Sequence, residues 1–244
     1  MVTLILFVLI FGVVVISHEF GHFLLAKANG IHVIEFSVGV GPNLFSFQKG
    51  DTKYSLKLLP IGGACMFEGE DGLNEKEDGE DHSGSFLNAN VWARISTVLA
   101  GPVFNFILGF IIAFIMVNLI VIRDPVATEI VDGGAAQEAG LQPGDRILSL
   151  NGSKIHLYEE IQLFTLTYRG GNVTVQYERD GVKGTTTLTP KYDESAGRYM
   201  IGISNADFVQ LSGLDCFRYS WYEMRYCVTM TWKSLAMLVQ GQVS

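Results

Sequence analysis

Residues 2–26 read VTLILFVLIFGVVVISHEFGHFLLA, and this stretch decides the fold. Apart from Thr3, Ser17, His18, Glu19 and His22 it is apolar. As a helix it reaches about 37 Å at 1.5 Å per residue, enough to cross a hydrocarbon core of ~30 Å. Residues 1–26 are therefore expected to form a first transmembrane helix. A cleaved signal peptide does not fit, because there is no basic leading segment, no small-x-small cleavage site, and a polar motif where the cut would fall. A second charge-free run, Ile95 to Ile122, lies between Arg94 and Arg123 and predicts a second membrane helix over 95–122, with Gly101-Pro102 expected to interrupt it locally.

Composition agrees: 48% of the 244 residues are hydrophobic and 17% charged. The net charge of -8 is concentrated in Glu68 to Asp81, where eight acids face one base, Lys76. No basic patch is available to neutralise phosphates, which excludes nucleic acid as a partner. The segment 27–94 carries six Lys/Arg and the residues before the first helix none, so positive charge assigns this loop to the cytoplasm and the next domain to the outside of a multi-pass protein. Within the loop, Ile34 to Phe47 and Thr52 to Phe67 read as strands punctuated by glycine and proline, followed by a solvated acidic segment.

Residues 126–203 have the texture of a water-soluble domain. Leu157 to Tyr168 reads as an amphipathic helix, and Asn172 to Arg179 pairs with Val182 to Thr189 across Asp180-Gly181, a hairpin signal. In 214–240 apolar residues recur every three to four positions among Arg218, Glu223, Arg225 and Lys233, with a heavy aromatic load. That describes an amphipathic interfacial helix against a lipid bilayer. The odd number of cysteines, Cys65, Cys216 and Cys227, argues against a disulfide framework.

The chemistry sits in the first helix. His18-Glu19-Phe20-Gly21-His22 is an HExxH motif, whose i, i+4 spacing sets two imidazoles on one helix face within reach of one Zn2+ ion. Glu19, between them, is placed as the general base that takes a proton from the attacking water. Ionisable residues inside a membrane helix are costly and mark functional sites. His32, His82 and His156 have no ligand spacing to the first pair and read as surface residues. A catalytic zinc normally has three protein ligands, and the residues name two.

These residues resemble the site-2 protease family of intramembrane zinc metalloproteases, in its bacterial RseP-type, single-PDZ form. The resemblance rests on His18 to His22, on Ser37-Val-Gly39-Val-Gly41-Pro42, on Leu59-Pro60-Ile61-Gly62-Gly63 and on Ala100-Gly101-Pro102-Val103-Phe104-Asn105. Ala139-Gly140-Leu141-Gln142-Pro143-Gly144-Asp145-Arg146-Ile147 is similar to the turn and strand of a bacterial PDZ domain. The resemblance implies an α+β membrane protein with a membrane-associated β-hairpin region and an extracytoplasmic PDZ domain, resident in the bacterial inner membrane. It implies regulated intramembrane proteolysis of a single-pass membrane protein such as an anti-sigma factor. It gives Asn105 a supporting role beside the metal and Ile201, Gly202 and Ile203 a place along the peptide groove. It also implies a third zinc ligand, an Asp from an Asp-Gly motif in a later helix, expected beyond Ser244.

A noncatalytic membrane-anchored PDZ adaptor is the alternative, separated by whether such an Asp-Gly helix follows. A water-soluble zincin does not fit, since its motif helix needs a polar face that Val2 to Ile16 lacks. The Lys/Arg asymmetry predicts that a cysteine placed at Ser83 is labelled from the cytoplasm and one at Ser153 from outside. Labelling of both from one side of intact cells would contradict that topology.

Overall fold

The computed structural model describes residues 1–70, 84–194 and 196–241. The chain divides into two units, Met1–Gly109 and Phe110–Ser244.

The first unit opens with α1 (Val2–Ala28), a helix without proline or a charged residue in its first four turns. It ends at Asn29 with Gly30 in the left-handed region at φ 74°. The Ile31 amide donates to Ala26 O (2.9 Å) and the Gly30 amide to Lys27 O (3.2 Å), the paired bonds that close a helix on a C′ glycine. Next come β1 (Val33–Lys49) and β2 (Thr52–Phe67). Phe45 to Lys49 pairs with Leu56 to Thr52 across a tight turn, and Val33 to Val38 pairs with Phe67 to Gly63. Glu35 to Val38 also lies beside Lys53 to Leu56, so the two long strands fold over into a sheet four stretches wide. The fold-over requires glycine at Gly39, with φ 89° and the position a Cβ would take only 2.5 Å from Leu59 O.

The acidic segment departs from its expected solvation at its first residue. Glu68 is 5% exposed and bonds His32 Nδ1 at 2.9 Å, because its backbone is drawn in by Glu68 N to His32 O and Phe86 N to Glu68 O. Under this knot Ala26, Ile31, Val33 and Phe67 form a small core. Asp71 to Asp81 and His82 lie outside the described residues.

The helix α2 (Val91–Leu119) starts and stops earlier than the expected 95–122. Asn90 Oδ1 accepts from the Trp92 amide (2.9 Å), a side-chain cap that starts the helix ahead of the charge-free run. At the other end the apolar run passes unbroken into a buried strand, which hydropathy alone does not separate from helix. Pro102 lies inside a continuous helix, so the expected interruption is absent.

The first part of α2 crosses α1 at very close range. A Cβ on Gly21 would lie 2.5 Å from Ala100 O and 3.0 Å from Phe104 Cβ, and Ser17 Oγ donates to Phe104 O (3.3 Å). Small residues permit this approach.

The second unit follows with β3 (Ile122–Ile130), α3 (Ala135–Glu138), β4 (Arg146–Leu150), β5 (Ser153–Lys154), α4 (Tyr158–Leu166), β6 (Val173–Arg179), β7 (Val182–Leu188), β8 (Lys191–Asp193), β9 (Arg198–Met200), β10 (Ile203–Val209) and α5 (Leu214–Val239). One sheet runs β10-β3-β4-β6-β7 with β5 on β4, and β8-β9 form a separate hairpin. The β6-β7 turn carries Asp180 at φ 50° and Gly181 at φ 78°, both positive as a type I′ turn demands. Because β3 already begins at Ile122, the domain starts ahead of the expected residue 126.

Ile147, Leu150, Ile161, Val173 and Val175 fill the core, each worth about 1.5–3 kcal/mol when fully buried. Asp145 is fully buried, accepting from the Gln142 amide (2.8 Å) and from Arg179 Nε (2.6 Å). It ties the turn before β4 to the end of β6.

The crossing of α1 and α2 predicts that Gly21→Ala lowers stability by about 1–3 kcal/mol through overpacking against backbone. Gly109→Ala, where the added Cβ meets nothing within 4 Å, is expected to leave stability level or higher. Thermal midpoints of the two variants in detergent check this, and equal midpoints would contradict the close crossing.

Candidate metal centre

The metal-binding geometry follows from helix periodicity and from what α2 sets beside it. His18 and His22 are one turn apart on α1, with ring centroids 4.7 Å apart and planes edge-on at 80°. His22 Nδ1 lies 2.8 Å from Thr97 O. A carbonyl only accepts, so Nδ1 carries the proton and Nε2 presents its lone pair.

His18 Nδ1 faces the Asn105 amide at 3.3 Å, while Asn105 Oδ1 is buried without a partner. Amide oxygen and nitrogen are assigned by their bonding network. Turned over, the amide would set Oδ1 as acceptor of an Nδ1–H on His18, satisfying the orphaned oxygen and freeing His18 Nε2 in the same sense as His22.

The two Nε2 atoms converge. A Cβ on Gly101 would fall 2.7 Å from His18 Nε2 and closer still to His22 Nε2. Gly101 therefore leaves open the space where one ion can touch both rings, and two neutral imidazoles suit zinc. Glu19 points elsewhere, against β2, its Cγ 3.2 Å from the Cβ position of Gly63. It stands on the hairpin side of α1, separate from the imidazole pair. Among the described residues no group of three His, Cys, Asp or Glu converges to hold a metal.

The structure thus brings together His18, His22 and Asn105, with Glu19 on the adjoining hairpin side of α1. The other expected functional residues lie in the second unit. Ile201 and Ile203 are buried in its core. Gly202 turns at φ 87° against Gly134, and the carbonyls of Ile201 and Gly202 accept from Ala136 N (2.7 Å) and Val131 N (2.9 Å). Of the other histidines, His32 pairs with Glu68 and His156 stacks on Tyr222 at 3.9 Å, so neither is an ordinary surface residue.

Sequence reasoning missed Thr97, Gly101 and Gly63. Thr97 acts through its carbonyl, which leaves no trace in residue type. The two glycines act by absence of a side chain, and their only signal was membership of the Leu59-to-Gly63 and Ala100-to-Asn105 motifs that carry the resemblance.

Gly101→Ala is expected to push both imidazoles apart and weaken zinc retention about 10–100-fold, the range seen when the support of a metal ligand is lost. Zinc content after dialysis against graded chelator measures it. Undiminished retention would show that the Nε2 atoms do not meet at Gly101.

Comparison with known proteins shows similarity along nearly the whole chain. The model of peptidase family M50 matches residues 6–244. A protein of Clostridium acetobutylicum named as a zinc metalloprotease is 32% identical over 237 residues, covering 97% of this chain and 68% of its own. Zinc metalloprotease RasP of Bacillus licheniformis is 30% identical, over 99% of this chain and 76% of its own. A solved PDZ domain, from the SdrC-like protein of Listeria monocytogenes, covers 35% of this chain and 88% of its own at 22% identity and a TM-score of 0.29, a similarity too slight to define the fold. With two imidazoles converging beside a glycine, a carboxylate one residue from the first of them, and relatives of this kind along nearly its whole length, the chain belongs to peptidase family M50, the membrane-embedded site-2 protease family of zinc metalloproteases.

Proposed function

We propose that this chain hydrolyses peptide bonds of membrane-spanning proteins inside the bacterial inner membrane, with His18 and His22 as zinc ligands and Glu19 as general base. The observation that carries the reading is the convergence of both Nε2 atoms within a helix long and apolar enough to cross a membrane. When bound, zinc supplies Lewis acidity to the scissile carbonyl and eases deprotonation of the attacking water. Glu19 accepts the proton of that water and delivers it to the departing amine nitrogen. Asn105 and the Thr97 carbonyl hold the two rings in the tautomer that points Nε2 inward.

The hairpin supplies the substrate track. The edge of Gly63 to Phe67 away from β1 has no partner strand among the described residues, and it runs past Glu19 at Gly63. A substrate segment added to this edge would be held extended, with its backbone bonded and its bond beside the base. Val40, Leu44, Phe45, Phe47, Leu58 and Leu59 leave the far end of the hairpin apolar and exposed, which suits a membrane-associated element.

We read the second unit as an extracytoplasmic PDZ domain. Its support is an edge strand, β10, that begins at the Ile201-Gly202-Ile203 turn, where a peptide could add. The substrate class that fits is a single-pass membrane protein, of which an anti-sigma factor is the example in regulated intramembrane proteolysis.

Glu19→Gln is expected to cut cleavage of a membrane substrate by about 10²–10⁴-fold, the contribution of a positioned base, with zinc content unchanged. A cleavage assay beside metal analysis decides it, and retained proteolysis would end the proposed role of Glu19.

A further inference from the structure

The helix α5 is docked with its polar side inward. Tyr219 Oη donates to Asp124 Oδ1 (3.2 Å), Tyr222 stacks on His156 (3.9 Å, 4°), and Lys233 Nζ donates to Thr167 Oγ1 (3.4 Å). At 100° per residue Tyr219, Tyr222, Tyr226 and Lys233 fall within an arc of about 60°. Phe217, Trp221, Val228, Trp232, Leu235 and Val239 fall within another arc of about 60° on the far side, and no charged residue interrupts it. All six are more than half exposed, Trp232 by 74%. A helix covering a water-soluble domain carries the opposite arrangement.

Where this stripe starts is fixed by a second observation. Phe217, its first aromatic, lies 4.5 Å from Phe114 of α2. Gln210 Nε2 donates to Asn118 O (3.2 Å), and Cys216 is buried in one cluster with Val117. Phe114 sits about 7.5 Å along the axis before the end of α2 at Leu119. The Phe217 ring is therefore level with residues inside the apolar helix, below its end.

We propose that α5 is a bilayer-docking helix, lying in the membrane interface with the Phe217-to-Val239 stripe against lipid acyl chains and its tyrosine face on the domain. The inference rests on α2 spanning the membrane. Large apolar residues on one helix face, opposite a polar one, are what such a helix needs. Tryptophans Trp221 and Trp232 sit within the stripe, the residue type favoured at the membrane boundary. The domain is thereby held along the bilayer by contacts at Asp124, His156 and Thr167 on one side and by lipid on the other.

The test uses the whole chain in phosphatidylcholine vesicles, with Trp92→Phe so that Trp221 and Trp232 are the remaining tryptophans. Host lipid brominated on its acyl chains is expected to lower their emission at least about twofold, and aqueous acrylamide to have little effect. A companion variant carries Ile111→Trp in α2 with the three native tryptophans changed to Phe. Bromine quenching at 111 with acrylamide quenching of Trp221 and Trp232 would overturn the inference alone. Shielding of Trp221 and Trp232 from both quenchers would also overturn it, because protein, such as a second copy of the chain, would then cover the stripe. Absence of bromine quenching at 111 would overturn the membrane reading together with it.

Discussion

Two imidazoles set in an otherwise apolar helix of membrane-crossing length impose the constraint on which the rest of the first unit depends. A buried polar group costs free energy unless it is hydrogen-bonded, so both rings need partners in the same apolar layer. The structure supplies them from backbone and amide: Thr97 O for His22 and Asn105 for His18. Both come from α2, and both reach α1 only because Gly21 and Gly101 remove side chains at the crossing. Gly21 sets the distance between helix backbones, and Gly101 keeps the space at the ring nitrogens. Close packing and metal-binding geometry are thus one requirement.

The second unit meets a different constraint, that of joining short strands through turns. Its answer is buried charge held at junctions. Asp145 is fully buried between a turn and Arg179, and Asp124, nearly buried, joins Arg146 of β4 to Tyr219 of α5. Burial, with the Asp124 carboxylate beside it, raises the Tyr219 hydroxyl above its ordinary range. Removal of one partner from such a pair leaves the other charge stranded, so these contacts specify where each segment ends.

Much of this was legible in the residues. The i, i+4 histidines, both apolar helices, the Asp180-Gly181 hairpin and the amphipathic tail each carry a local signal of period or turn chemistry. What stayed hidden depends on contacts distant in the chain. Glu68 looks like the first of eight solvated acids, yet three hydrogen bonds to residues 32 and 86 carry it inward. The end of α2 is invisible because helix and strand share one apolar run. The fold-over of β1 and β2 follows from glycines whose individual signals fit several turns. Thr97 acts through an atom every residue possesses.

The texture of α5 shows what a hydropathy pattern leaves open. Periodicity identifies an amphipathic helix without saying which face meets protein. In a domain surrounded by water the answer follows from burial, since apolar area gains about 25 cal/mol per Å² when removed from solvent. Here the domain takes the tyrosines and Lys233, and the Phe, Trp, Val and Leu residues face out. Such an arrangement is favourable only if a second apolar medium lies on the outer side, and the contact of Phe217 with Phe114 joins the start of that face to an apolar helix of membrane-crossing length. The choice of face therefore depends on the solvent assigned to α2, which makes the environment of one helix a determinant of how its successor packs.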